Sequence, residues 1–215
     1  MLILLAALAL GGCSVSADSA AVLGAEVVPP MFAEVYAQVE QASDIPMLLP
    51  TIMPEDVLRE PEPGQTQPFF VSTDVIDVDR YEVNLDAMAG CEGAGYCTFG
   101  LLGAERITPE TLSVDELYAY YLDPEFQPVR RSEEPIAEVE LAGGITGTFI
   151  PWVCGANCST AKVYWVQSGI RYVVGIRGPV DQATVVEIAN SMIENQPAAV
   201  DAPDAAGEEP NELAD

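Results

Sequence analysis

The stretch Tyr164-Trp165-Val166-Gln167-Ser168-Gly169-Ile170-Arg171-Tyr172-Val173-Val174-Gly175-Ile176 decides the fold class. Two aromatic and β-branched runs flank a Ser-Gly pair, the signature of an antiparallel hairpin closed by a two-residue turn. Such side chains suit a pleated, half-buried surface, and Trp165, Tyr172 and Val174 are expected to pack across the sheet. The predicted strands are 160–167 and 170–176. Downstream, Pro179 stops the second strand, Asp181 stands at a helix N-cap, and Val180 can staple to Val185. Val185, Ile188, Ala189, Met192 and Ile193 then fall on one helical stripe, which must be buried against something. A hairpin followed by a helix that covers it is α+β.

Working upstream, 137–141 and 145–152 read as strands joined through Gly143-Gly144. Residues 80–85 alternate with Tyr81, Val83 and Leu85 on one face, 69–72 is a short strand, and 97–103 is another. Between 108 and 123, Ser113 and Glu116 form a capping box for a helix carrying Leu117, Tyr120 and Tyr121, with Pro124 and Pro128 beyond it. Near the N-terminal side, Met31 or Phe32, Val35 and Val39 recur at helical spacing. The apolar run 45–54 contains three prolines, which forbid a helix interior and a central strand, so it should be an extended edge or a chain clamped over a core. The expectation is an antiparallel sheet of about six strands, a C-terminal helix packed on one face and a short N-terminal helix. The globular domain should cover 31–196.

The 215 residues carry 8 Lys and Arg against 34 Asp and Glu, a formal net charge of −26. Lys162 is the single lysine, and there is no histidine. Nucleic acids are bound largely by neutralising phosphates with cations, so they are excluded as partners. The absence of histidine removes His-based triads, Cys–His dyads, two-His zinc sites and proximal-His haem. With 49% hydrophobic residues the chain is nonetheless globular in composition. A solvated acidic surface explains the charge best; weak divalent-cation binding and docking to a basic partner are the competing readings. Part of the charge is local, since 197–215 holds Asp201, Asp204, Glu208, Glu209, Glu212 and Asp215 without a cation and reads as a disordered acidic tail.

Residues 2–12 form an uncharged apolar run. It is too short for a helix across a bilayer core, which takes about twenty residues, and fits the apolar region of a signal peptide. It ends in Leu10-Gly11-Gly12-Cys13, which resembles the lipobox of bacterial lipoproteins. That resemblance implies a signal peptide over 1–12, diacylglycerol on the Cys13 thiol, cleavage before Cys13 and acylation of the new amino group. Two or three acyl chains anchor a protein lastingly. The sequence departs from the family in having no Lys or Arg before the apolar run, and an ordinary signal peptide cleaved after Ala17 is the competing reading. Ser14, in place of an aspartate, favours the outer membrane where there are two. Residues 13–30 are then a tether.

Four cysteines remain: Cys91 with Cys97, and Cys154 with Cys158. In an exported chain an even set reads as disulfides. Three pairings are possible, and turn-like, glycine-containing sequence between the members of each close pair favours the local bridges Cys91–Cys97 and Cys154–Cys158. A four-cysteine zinc or iron–sulfur site fits the spacing loosely, but thiolates compete badly with oxidation after export. No metal and no cofactor is expected.

Residues 163–193, an aromatic strand, a Gly turn, a Tyr-bearing strand and a helix with Ile188-Ala189-Asn190-Ser191, resemble uncharacterised bacterial envelope domains of secreted lipoproteins and of the external parts of some anti-sigma regulators. The motif is one of packing, and it implies a fold and a location without catalytic residues. Elsewhere, the glycines of 90–95 lack the Gly-Lys-Ser/Thr ending of a phosphate loop. Asp74, Asp77 and Asp79 lack the pattern of an EF-hand and read as a charged rim before a strand. Glu138 and Glu140 alternate with Val139 and Leu141 and belong to a solvent face, and Arg130-Arg131 should pair locally with Glu133-Glu134. The expected function is therefore a non-catalytic binding, sensory or structural module, anchored to the cell envelope through Cys13, with an envelope protein as its possible partner. The alternatives are a carrier holding an acyl chain or peptide between sheet and helix, and a His-independent carboxylate hydrolase.

Overall fold

Alternating apolar and polar side chains between Phe70 and Arg177 build one antiparallel sheet in the computed structural model, which describes residues 20–22, 28–54, 68–122, 128–155 and 158–195. The first elements are β1 (Ala20–Val22), α1 (Ala33–Ala42), β2 (Ile52–Pro54), β3 (Phe70–Asp77), β4 (Arg80–Asp86) and β5 (Thr98–Arg106). They are followed by α2 (Val114–Leu122), β6 (Arg130–Arg131), β7 (Ala137–Leu141), β8 (Ile145–Ile150) and β9 (Val153–Cys154). The chain then forms β10 (Thr160–Gln167), β11 (Ile170–Arg177) and α3 (Gln182–Glu194). The main sheet has seven strands in the order β3-β4-β5-β11-β10-β8-β7, and two small ladders, β1-β2 and β6-β9, stand beside it. The fold class is α+β, as expected, with one strand more in the sheet than the expected number. Ladder β1-β2 pairs Ala21 with Met53, so the stretch expected to be a plain tether contains a strand.

The β10–β11 hairpin sits at the centre. Trp165 pairs with Tyr172 and Val163 with Val174, and the indole stacks on the phenol ring at 5.5 Å. On this face Val83, Leu102, Phe149, Val163, Val174 and Ile176 are excluded from water. Helix α3 closes the face with Val185, Ile188, Ala189 and Met192, each 0% exposed; burial of a large apolar side chain of this kind contributes about 1.5–3 kcal/mol. Asp181 caps the helix by accepting the Thr184 N–H at 2.9 Å. The proline-rich run lies beside α3 as the expected clamp: Thr51 N–H donates to Ser191 Oγ, Asn195 Nδ2 donates to Leu49 O, and Ile45, Met47, Leu48 and Leu49 are buried. Phe32, at the entry to α1, meets Phe69 edge to face, and Phe69 meets Phe99.

The other face of the sheet carries α2. Its capping box forms as expected, with Glu116 N–H donating to Ser113 Oγ and Ser113 N–H donating to the Glu116 carboxylate. Tyr118 packs on Tyr164 and Ile150.

Strand β3 departs from the expected short strand. It continues to Asp77 because a bulge between Thr73 and Val75 takes up Asp74, so Asp74 and Asp77 lie within the strand and Asp79 in the β3–β4 turn. Alternation breaks at a bulge, which hides the second half of the strand from a pattern of period two. Acidic side chains on an edge strand also discourage pairing with another chain. The strand expected over 145–152 stops at Ile150, since Pro151 has no N–H to donate to the ladder.

Candidate binding cleft

The break at Pro151 re-aims the chain. After Trp152, β9 leaves the main sheet and pairs with β6, placing Arg130 opposite Cys154 and Arg131 opposite Val153. Three further backbone bonds extend this corner: Val129 N–H to Cys154 O, Ser132 N–H to Trp152 O, and Ser159 N–H to Val153 O. The Ser159 hydroxyl accepts the Val153 N–H at 3.0 Å. The Cys154–Cys158 disulfide closes the turn that follows β9. A two-stranded ladder this short has little stability of its own in water, so the covalent bridge and the adjoining hydrogen bonds keep it in register.

Between this corner and α2 lies a cleft of about 270 Å³. Tyr118, Ile136, Ile150, Pro151 and Trp152 form its apolar walls, and Arg131, Ser132, Glu134 and Ser159 supply its polar groups. The Arg130 guanidinium lies 5.8 Å from the Trp152 ring centre, a cation–π contact that holds the indole from outside. Arg130 and Arg131 form no ion pair with Glu133 or Glu134 among the described residues, contrary to expectation. Glu134 turns instead to α3, where both carboxylate oxygens accept the Gln182 N–H, at 3.1 and 3.0 Å. A carboxylate at a helix N-terminus satisfies a free N–H and interacts favourably with the helix dipole.

The same sheet face holds a second group of polar residues. Arg171 Nη2 meets Glu105 Oε1 at 2.6 Å, its Nη1 donates to Leu112 O, and its guanidinium lies over the Tyr164 ring. Tyr118 and Tyr164 share a hydroxyl hydrogen bond of 2.9 Å. Lys162 lies over Tyr118 at 5.8 Å; desolvation pushes its amine down, and the Glu82 charge opposes that shift. Burial pushes the Tyr164 phenol up, and that of Tyr172 on the opposite face up to about 12. These phenols are donors and packing groups at neutral pH. Glu82 and Glu105 line one depression of about 210 Å³, but Arg80 engages the first and Arg171 the second.

Cys91–Cys97 and Cys154–Cys158 are both bridged. They lie in different connections, the first between β4 and β5 and the second between β9 and β10. The first spans a turn in which Cys97 N–H donates to Ala94 O and Ala94 N–H donates to Cys91 O. Beside it sits Asp86, only 1% exposed, accepting hydrogen bonds from Thr98 Oγ1 and Ser72 Oγ at 2.7 and 2.6 Å. Asp79 accepts from Arg106 Nε, and its own N–H donates to Asp77, so these acids close the β3–β4 turn. Glu138 and Glu140 are exposed on β7, as expected. No group of three or more Cys, Asp or Glu suited to a metal ion occurs among the described residues. Cys13, the signal peptide and the acidic tail lie outside them. Sequence reasoning missed the cleft; its one available signal was Pro151-Trp152 inside an apparent strand. No protein-family model, curated protein or solved structure matches the chain.

Proposed function

We propose that this chain is an exported lipoprotein, anchored to the bacterial cell envelope through Cys13, whose folded domain is a non-catalytic binding module. The observation that carries the reading is the pair of short-range disulfides, Cys91–Cys97 and Cys154–Cys158. Such bridges persist in oxidising compartments outside the cytoplasm. The Leu10-Gly11-Gly12-Cys13 motif adds the anchor. Binding is favoured over hydrolysis by the way the carboxylates are used. Glu82 and Glu105 are paired with arginines and Glu134 caps a helix, whereas a glycosidase needs one carboxyl free to deliver a proton. Helix α3 fills its contact with the sheet with fully buried side chains, which leaves the cleft beside β9 as the better place for a ligand than the sheet–helix interface.

The test is fractionation. The wild-type chain should sediment with membranes and partition into detergent, and Cys13→Ala should appear in the soluble fraction. If the variant stays with the membrane as the wild type does, the lipid anchor is wrong.

A further inference from the structure

We propose that the cleft between α2, β8 and the β6–β9 corner binds a small amphiphilic carboxylate: one aromatic or short aliphatic unit seated on Trp152, Ile136 and Ile150, with its carboxylate on Arg131. The inference deepens the binding-module reading and rests on it.

Charge is the first argument. In a chain of net charge −26, cations are scarce, and most described ones are already engaged. Arg80, Arg106 and Arg171 are paired with Glu82, Asp79 and Glu105, and Arg177 donates to Gly95 O. Arg130 and Arg131 have no carboxylate partner among the described residues, and Arg131 lines the cleft. Glu134 also lines it, and its carboxylate accepts the Gln182 N–H at the start of α3 and the Ser132 hydroxyl. The cation that lines the cleft is a guanidinium, which presents a planar fork of donors matched to a carboxylate.

Shape is the second argument. At about 270 Å³ the cleft is below the roughly 300–1,000 Å³ of sites for drug-sized ligands, so its occupant is a single apolar unit. Ser132 and Ser159 add hydroxyls at the polar side. The third argument is preorganisation. The disulfide, the β6–β9 ladder and the Arg130–Trp152 contact hold the walls before any ligand arrives, which lowers the ordering cost of binding. Repulsion from the surrounding acids would disfavour a multiply charged anion, so one carboxylate with an apolar body is the best match.

The same chemistry is offered by a free arylalkanoate and by an apolar C-terminal residue of a protein. Binding is read on the purified full chain carrying Trp165→Phe, which leaves Trp152 as the sole indole. The probes are 3-phenylpropanoate, its uncharged amide, and an N-acetylated tripeptide ending in phenylalanine with a free carboxylate. A saturable change in Trp152 emission is expected with at least one carboxylate probe. Loss of the charge-assisted contact, by Arg131→Gln or by the amide, should weaken it about tenfold or more. Ile136→Phe, which fills the cleft and leaves both Arg131 and the single indole in place, should abolish it. Tighter binding of the tripeptide assigns the carboxylate to a protein terminus; tighter binding of 3-phenylpropanoate assigns it to a free acid. The proposal is overturned by equal binding of acid and amide, by unaltered binding to Arg131→Gln, or by no saturable change with any probe up to about 10 mM, where binding would be too weak to matter. These readouts are made in solution and do not depend on Cys13, so they can fail while the anchor stands, and the reverse.

Discussion

Ser168 shows how local strain is placed where it can be tolerated. It occupies the first position of the β10–β11 turn with φ 52°, followed by Gly169 at φ 75°. The left-handed region is natural for glycine and costs other residues of the L series about 1–2 kcal/mol. Ser168→Gly should therefore stabilise the domain by about 0.5–1 kcal/mol, part of the relief being offset by the entropy of an added glycine. Chemical denaturation measures this, and a destabilised variant would show that the serine is not strained. Trp165 carries a second residue-scale tension: it is 2% exposed and stacked on Tyr172, yet its Nε1–H has no partner among the described residues. An orphaned buried donor costs about 1–3 kcal/mol. Trp165→Phe removes that donor and keeps an aromatic ring, so it should cost no more than about 1 kcal/mol, against about 3–5 for truncation of a core aromatic to alanine. A larger loss would mean that shape outweighs the orphaned N–H. Neither tension is readable in sequence, since Trp165 could be placed on the core face by alternation but its partners could not.

Among the elements, those with self-contained signals were the ones legible beforehand. The central hairpin announces itself through Ser168-Gly169, and α3 through Asp181 and its apolar stripe, because the residues that specify them are close in sequence. The β6–β9 ladder could not be read. Its strands are two residues each, and their pairing depends on Pro151 ending β8 and on chain that is distant in sequence. Sequence proximity points Arg130 and Arg131 to the nearest acids, whereas the fold gives Glu134 to α3. Two element-scale outcomes follow from this geometry. Replacing Cys154 and Cys158 by serine should reduce stability by no more than about 2–3 kcal/mol, because the closed loop is short. Amide exchange should accelerate first at Val129, Ser132 and Ser159, whose N–H groups tie this corner together; exchange that accelerates evenly over the sheet would show that the bridge serves the whole core.

Helix α3 carries a further outcome at this scale. The Thr184 N–H bond holds the Asp181 carboxyl below its usual range, so its folded value lies under its unfolded one. Stability from this cap is then fully present above the unfolded pKa and is lost as pH falls through the folded one. Asp181→Ala should cost about 1 kcal/mol at neutral pH, and the difference from wild type should shrink in strong acid. A difference that stays constant on acidification would show that the aspartate acts by shape and not by charge.

At the scale of the molecule, the acidity can be weighed against the pairs that offset it. Three ion pairs occur among the described residues, and two of them, Arg80–Glu82 and Arg106–Asp79, are largely exposed. Exposed pairs of this kind contribute about 0–1 kcal/mol each. The net charge of −26 opposes compaction through repulsion summed over the whole surface. Salt screens both effects, with a Debye length falling from about 30 Å at 0.01 M to about 3 Å at 1 M. Repulsion acts over longer distances than contact pairing and is screened first, so added sodium chloride should raise the melting temperature steadily across this range. A melting temperature that falls with salt would mean that local pairs dominate. The composition alone announced the charge; it could not show that Arg80, Arg106 and Arg171 are paired with acids while Arg130 and Arg131, at the Trp152 corner, have no carboxylate partner among the described residues. A solvated acidic surface and a cationic corner are compatible in one molecule because the first requires only exposure, while at the second Glu134 is drawn to the N-terminus of α3, where it accepts the Gln182 N–H.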